Sequence, residues 1–126
     1  MNRESKMKVI ISTSSATIES EVDPRFGRGA YLLVVDPATL EFQAHRNPGV
    51  NASGGAGIQA AQFVVDHQAD AVISGDYGPN AFDALNAANV PMYLFGATRT
   101  VRQAITQFNA GQLKRVGAPT REGTRR

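Results

Sequence analysis

The sequence predicts an α/β fold: a single domain with a five-stranded mixed sheet flanked by helices. Three observations carry that prediction. From residue 55 onward, stretches of helical periodicity alternate with short apolar runs, the order that lays strands parallel with helices across the sheet. Before residue 55, two strand-like runs flank Asp36-Pro37-Ala38-Thr39, where Asp first and Pro second fit a tight turn between antiparallel partners. The chain of 126 residues is long enough to bury a core and contains neither an internal repeat nor an interdomain linker.

Each element follows in order. Lys8-Val9-Ile10-Ile11-Ser12-Thr13 is almost continuously apolar, the pattern of a central strand covered on both faces. A polar loop spans Ser14 to Gly29 and holds Val22-Asp23-Pro24-Arg25-Phe26-Gly27-Arg28. Tyr31 to Asp36 is the second strand. Leu40, Phe42 and Ala44 then alternate with Glu41, Gln43 and His45, predicting a half-buried third strand with His45 on its exposed side.

From Gly55 to about His67 the period becomes helical, with Ala60, Ala61, Val64 and Val65 on one face and Ser53 as a candidate N-cap. His67 falls where it can bond free carbonyls at the helix end. Asp70 to Ser74 is a short buried strand, and Pro79 suits the first turn of a second helix whose core face is Phe82, Leu85 and Ala88. Pro91 to Phe95 is the fifth strand. Val101, Ala104, Ile105 and Phe108 sit at helical spacing, and Gly111 can end that last helix.

Charge is unevenly spread. The body, Met7 to Leu113, holds six bases and nine acids, whereas Lys114 to Arg126 holds five bases and one acid. The net charge of +2 is therefore a property of the end of the chain. We expect a disordered leader over residues 1–6, a fold over 7–113 and a flexible, solubilising basic tail over 114–126. No specific nucleic-acid or membrane partner is expected, and the cytoplasm is the expected compartment.

Many chemistries lack their residues. There is no cysteine, which removes disulfides, thiolate metal ligands and cysteine nucleophiles. Neither a Walker-type phosphate loop, nor a Rossmann fingerprint in its proper place, nor a serine nucleophile elbow occurs. The two histidines lack metal-ligand spacing, leaving His45 as a weak metal candidate, and Asp70, Asp76 and Asp83 do not form a two-metal carboxylate set.

What remains is a pair of glycine-rich corners, Ser53-Gly54-Gly55-Ala56-Gly57-Ile58-Gln59 and Gly75-Asp76-Tyr77-Gly78-Pro79-Asn80-Ala81, each opening a helix after strand-like sequence. Helix starts leave N–H groups without partners and carry partial positive charge, and glycine lets a ligand approach them. At one sheet edge the two corners would floor an anion site. Read alone, either corner signals only tight turns and close packing. Arg25 and Arg28 flank Phe26-Gly27 in the long loop and could close such a site from above. The competing reading pairs one of these arginines with Asp23 or Glu21 and makes Phe26 a core plug; Arg25 leans to that structural reading, and for Arg28 the two readings balance.

Four motifs in order, Val22 to Arg28, Asn47-Pro48, Gly54 to Gln62, and Gly78-Pro79-Asn80-Ala81-Phe82, resemble the dinitrogenase iron–molybdenum cofactor biosynthesis family, the domain of NifX-like proteins and of the end of some NifB proteins. The likeness covers about Met7 to Leu113. It implies a ribonuclease H-like sheet without nuclease activity, and non-covalent binding of an anionic metal–sulfur cluster, iron–molybdenum or another molybdenum-containing species. Donor or acceptor proteins of cofactor assembly are the implied partners. By motif match the cluster region comprises Arg25, Phe26, Gly27, Arg28, Ser53, Gly54, Gly55, Gly57, Gly78 and Asn80. Without cysteine, binding is either outer-sphere, through N–H groups and arginine, or uses another ligand. The leading expectation is a non-enzymatic carrier. Its rivals are an enzyme or sensor acting on a small phosphorylated or carboxylated anion, with Asp76 as its acid, and a regulatory module that finds a partner through its tail.

Overall fold

The computed structural model describes residues 6–120. The elements run β1 (Val9–Thr13), β2 (Tyr31–Val35), β3 (Phe42–Arg46), α1 (Ala56–Asp66), β4 (Ala71–Ser74), α2 (Pro79–Ala87), β5 (Met92–Leu94), α3 (Val101–Asn109) and β6 (Lys114–Arg115). They form one mixed sheet of six strands, rather than the five expected, in the order β3-β2-β1-β4-β5-β6. β1 pairs antiparallel with β2 and parallel with β4, β4 pairs parallel with β5, and β6 is antiparallel to β5.

Side-chain alternation splits the core in two. Ile10, Leu32, Val72 and Met92 face α1 and α2, where Ala60, Ala61, Val64, Phe82 and Leu85 pack on them. Val9, Ile11, Leu33, Val35 and Ile73 face α3 through Val101, Ala104 and Ile105. β1 is buried along its whole length, as a strand sandwiched between helix layers must be.

Two expectations need correction. The third strand starts at Phe42, because Leu40 lies in a left-handed conformation (φ 68°) inside the turn that Asp36 closes by accepting from Leu40 N at 2.8 Å. The alternation holds but its burial is reversed. β3 is an edge strand that α3 does not cover, so Phe42 is 39% exposed, while His45 points to the other face and is half-buried against Phe63 and His67 of the α1 end.

The second correction concerns the end of the chain. Lys114 and Arg115 pair with Leu94 and Tyr93, Val116 is buried with its N–H on Met92 O at 2.8 Å, and Thr120 is bonded to Tyr77. A flexible tail from Lys114 therefore does not describe residues 114–120; 121–126, and residues 1–5 of the expected leader, lie outside the described residues. Among the described residues, no helix is long and apolar enough to cross a membrane.

Candidate functional site

The helices α1 and α2 begin at the same edge of the sheet, where they line one cavity. A network of buried polar groups holds the 23–29 loop over that edge. Ser12 and Ser74, at the ends of β1 and β4, share a hydrogen bond at 2.7 Å, and Ser12 Oγ donates to Asp23 O at 2.7 Å. Asp76 N donates to Pro24 O at 2.9 Å, and the Asn47 amide donates to Phe26 O at 2.9 Å while its Oδ1 accepts from Gly49 N. Both serines are thus structural. The Asn47-Pro48 motif is explained by Asn47, a buried strut between two loops.

These loops and helix starts enclose a pocket of about 480 Å³. Eight predicted residues line it: Arg25, Phe26, Gly27, Arg28, Gly55, Gly57, Gly78 and Asn80. Ser53, Gly54 and His45 do not. Ser53 is exposed and not the helix cap, because α1 starts two residues later on Gly55, whose φ of 70° suits glycine. Ala56, Ile58, Asp76, Pro79 and Ala81 complete the wall. Ile58 went unpredicted because helical periodicity assigns it no core role; its 45% exposure at the pocket is the signal.

The helix starts are bare. Neither Gly55 nor Gly78 supplies a side-chain cap, and neither first turn contains an acidic residue. The first N–H groups with helical acceptors are those of Gln59 (to Gly55 O, 2.9 Å) and Phe82 (to Gly78 O, 2.9 Å). The N–H groups of Ala56, Gly57 and Ile58, and of Asn80 and Ala81, therefore precede the ladders, with Pro79 contributing none. Close approach of the two starts depends on small residues: a Cβ on Gly57 would meet the Ala81 Cβ at 3.2 Å.

The arginines are engaged. Arg25 donates through Nε (3.1 Å) and Nη2 (3.0 Å) to Asp23, a carboxylate only 9% exposed, which also accepts from Arg25 N at 2.8 Å. This is the structural one of the two readings of Arg25, and Asp23 raises the already high pKa of the guanidinium. Arg28 Nη1 donates to Ala52 O at 2.8 Å and lies 3.3 Å from Gly49 O, clamping the loop that leads into α1. Phe26 is 2% exposed and packs on Tyr77 with ring centroids 5.6 Å apart, so it is both core plug and pocket floor. The buried Tyr77 hydroxyl donates to Tyr93 O (2.9 Å) and Val72 O (3.2 Å), and burial raises its pKa well above 10.0.

The histidines are elsewhere. His67 caps the end of α1, its N–H and its Nδ1 both facing Phe63 O. His45 Nε2 is buried with no hydrogen-bond partner, and burial, then the nearby His67, lower its pKa. Among the described residues, no group of three or more His, Cys, Asp or Glu is placed to hold a metal ion.

The fold and pocket define a small α/β domain with a cavity lined chiefly by two helix starts and the loop above them. Sequence comparison gives the family. The model for the dinitrogenase iron-molybdenum cofactor family matches residues 7–111, and the chain belongs to it. The apo form of the orange protein from Desulfovibrio gigas is similar, with 34% identity over 94% of this chain and 100% of that one and a TM-score of 0.85. A Thermotoga protein assigned to NifB and to the DUF35 family shows 32% identity over 93% of this chain and 99% of that one, with a TM-score of 0.78. No curated protein matches this chain.

Proposed function

We propose that this protein is a non-enzymatic carrier that holds an anionic metal–sulfur cluster, iron–molybdenum or a related molybdenum species, in the pocket between the starts of α1 and α2. One observation carries the reading: two uncapped helix N-termini, free of acidic residues in their first turns, line a single cavity. Partial positive charge and aligned N–H donors favour an anion there, and an exposed Ile58 offers soft apolar contact to sulfide. Binding is outer-sphere, because the pocket wall contains no cysteine or histidine. The cargo is handed between assembly proteins rather than transformed. The ribonuclease H-like topology belongs to the same proposal, supported by the mixed sheet with helices on both faces.

Asn80→Asp tests this cleanly. Asn80 is exposed in the first turn of α2 and lines the pocket, and an acid there adds up to about 1 kcal/mol of helix stability. The same charge, within about 5 Å of a bound dianion, should weaken it at least tenfold. Titration with tetrathiomolybdate, a molybdenum–sulfur dianion, followed by its absorption, reads the affinity; thermal unfolding reads the stability. Unchanged affinity in the variant would overturn the site.

A further inference from the structure

The two edges of the sheet are built differently. β6, at one edge, has two residues, Lys114 and Arg115, both basic and exposed. Short length and positive charge are devices that keep an edge from pairing with another chain. β3, at the other edge, has five residues in unbroken register with β2 and contains neither proline nor bulge. Among the described residues, no strand or isolated bridge occupies its outer side.

Hydrogen-bond parity fixes which groups that side presents. Asp36 N donates to Glu41 O at 2.8 Å and Asn47 N donates to Ala30 O at 3.0 Å, one pair beyond each end of the β2–β3 ladder. Bonded and non-bonded pairs alternate in an antiparallel ladder. Gln43 and His45 therefore bond to β2, while Phe42, Ala44 and Arg46 aim N–H and C=O outward. The side chains of these three lie on the α3 side of the sheet, opposite Val35, Leu33 and Tyr31, and all three are exposed.

This edge is complementary to itself. A two-fold axis normal to the sheet at Ala44 sets two β3 strands antiparallel. Ala44 then faces Ala44 of the second copy, and each Phe42 faces Arg46 of the other chain. All three outward residues of both chains are paired, with two hydrogen bonds for each opposed pair. A two-fold centred on any other position leaves at least one of the three without a β3 partner. The Ala44-centred register also sets a cation against an aromatic ring. The Arg46 guanidinium already lies over its own Tyr31 ring, 5.9 Å from the centroid, and Phe42 of the second copy would add another aromatic surface beside it.

We propose that β3 is a self-association edge: a second copy of this chain adds its own β3 antiparallel across Ala44 and joins the two sheets into one. A five-residue strand covers far less than the ~800 Å² per partner of a standard stable interface, so the dimer is weak, with a Kd on the order of 0.1 mM. The pocket wall contains no β3 residue, so this contact is independent of the anion-pocket reading.

Sedimentation equilibrium of the full chain from ~10 μM to ~1 mM reads the association, and amide exchange at the same concentrations reads its location. The parent should pass from about 85% monomer to about 20%. The amides of Phe42, Ala44 and Arg46 should exchange about fourfold more slowly at the higher concentration, while those of Gln43 and His45, already bonded to β2, change little. Ala44→Lys and Ala44→Glu each set like charges against each other at the axis, and each alone should self-associate at least tenfold more weakly. An equal mixture of the two should associate at least as tightly as the parent, and ~1 M salt should remove that gain. A parent still monomeric at the highest concentration overturns the proposal. So does a dimer that leaves the three outward amides unprotected, or a mixture no more associated than its components.

Discussion

Gly49→Ala should damage this protein more than substitution of any glycine in the first helix-opening corner, between Ser53 and Gly57, although Gly49 lies outside that corner. A Cβ at Gly49 would sit 2.3 Å from Gly27 O and 2.5 Å from Ala56 O, where 3.4–4 Å is ordinary contact. Both obstacles are backbone, so neither can rotate away. Each must retreat by about 1 Å, prising the 23–29 loop from the first turn of α1. The backbone angles of Gly49 are not left-handed, so the strain is steric rather than conformational. Overpacking costs about 1–3 kcal/mol, and contacts with two carbonyl oxygens put this case at the upper end. Alanine recovers about 0.4–1 kcal/mol by restricting the unfolded chain. The net expectation is a loss of about 2–3 kcal/mol, or roughly 10 °C in Tm for a domain of this size. Because the loop and α1 both line the pocket, tetrathiomolybdate binding should fall in parallel. Gly54→Ala is the internal control: a Cβ there meets nothing within 4 Å, and stability should stay within about 0.5 kcal/mol of the parent. Urea unfolding of the three proteins decides the matter. A Gly49→Ala protein within about 1 kcal/mol of the parent, or a Gly54→Ala protein equally damaged, would refute the packing argument.

Three further outcomes are expected. Tyr77→Phe keeps the packing on Phe26 but removes the proton shared by Tyr93 O and Val72 O, costing about 1–2 kcal/mol in urea unfolding with an unchanged m-value. His45 is held neutral in the folded state, its pKa below the ordinary 6.5. The unfolded chain therefore takes up the proton first, and stability present above pH 6.5 is lost as pH falls from there to the folded value, by at most about 1.4 kcal/mol per pH unit. His45→Phe removes the unpartnered Nε2, should stabilise the protein by about 1 kcal/mol at neutral pH, and should flatten this fall in pH-dependent unfolding. Arg28→Ala frees the carbonyls of Gly49 and Ala52, so the Val50 and Ala52 amides, bonded to Asn47 O and Gly49 O, should exchange with solvent about tenfold faster.

How much was legible in the sequence differs by physical cause. Strand and helix positions were readable because burial on one face leaves a periodic trace: the Val101, Ala104, Ile105 stripe is the α3 core face, and the apolar run of β1 marks a strand covered twice. The glycine corners were readable as helix starts, and eight residues named from them and the Arg-Phe-Gly-Arg loop line one pocket. Contacts between distant segments left no such trace. Nothing local to Gly49 announces that Gly27 O and Ala56 O converge on it. Lys114-Arg115 is too short and too polar to read as a strand, and its pairing is set by the free edge of β5. His45 was assigned to solvent because alternation gives two faces but not which of them a helix covers at a sheet edge.

The same chain shows that bare helix starts are not its habit. α3, on the opposite face of the sheet, begins in the ordinary way: Thr100 is its N-cap, and Thr100 Oγ1 accepts from Gln103 N at 3.2 Å. α1 and α2 begin instead on Gly55 and Gly78, with no side-chain cap. The body carries nine acids, yet none lies in either first turn, where one would stabilise the helix. Replacing a Ser or Thr cap with Gly sacrifices only a few tenths of a kcal/mol, so the fold tolerates the departure at both helices. What the departure preserves is a set of donors that no carboxylate or hydroxyl of their own helix occupies. Arg25 illustrates why backbone would suit the proposed anion site. A guanidinium beside Asp23 is bound by that neighbour, whereas an N–H in a helical first turn is fixed in direction and has no intrahelical partner to take it. Local rules of helix construction are therefore obeyed where the helix only packs and relaxed where two helices meet at a cavity, the distribution expected when a ligand, rather than the protein, completes the caps.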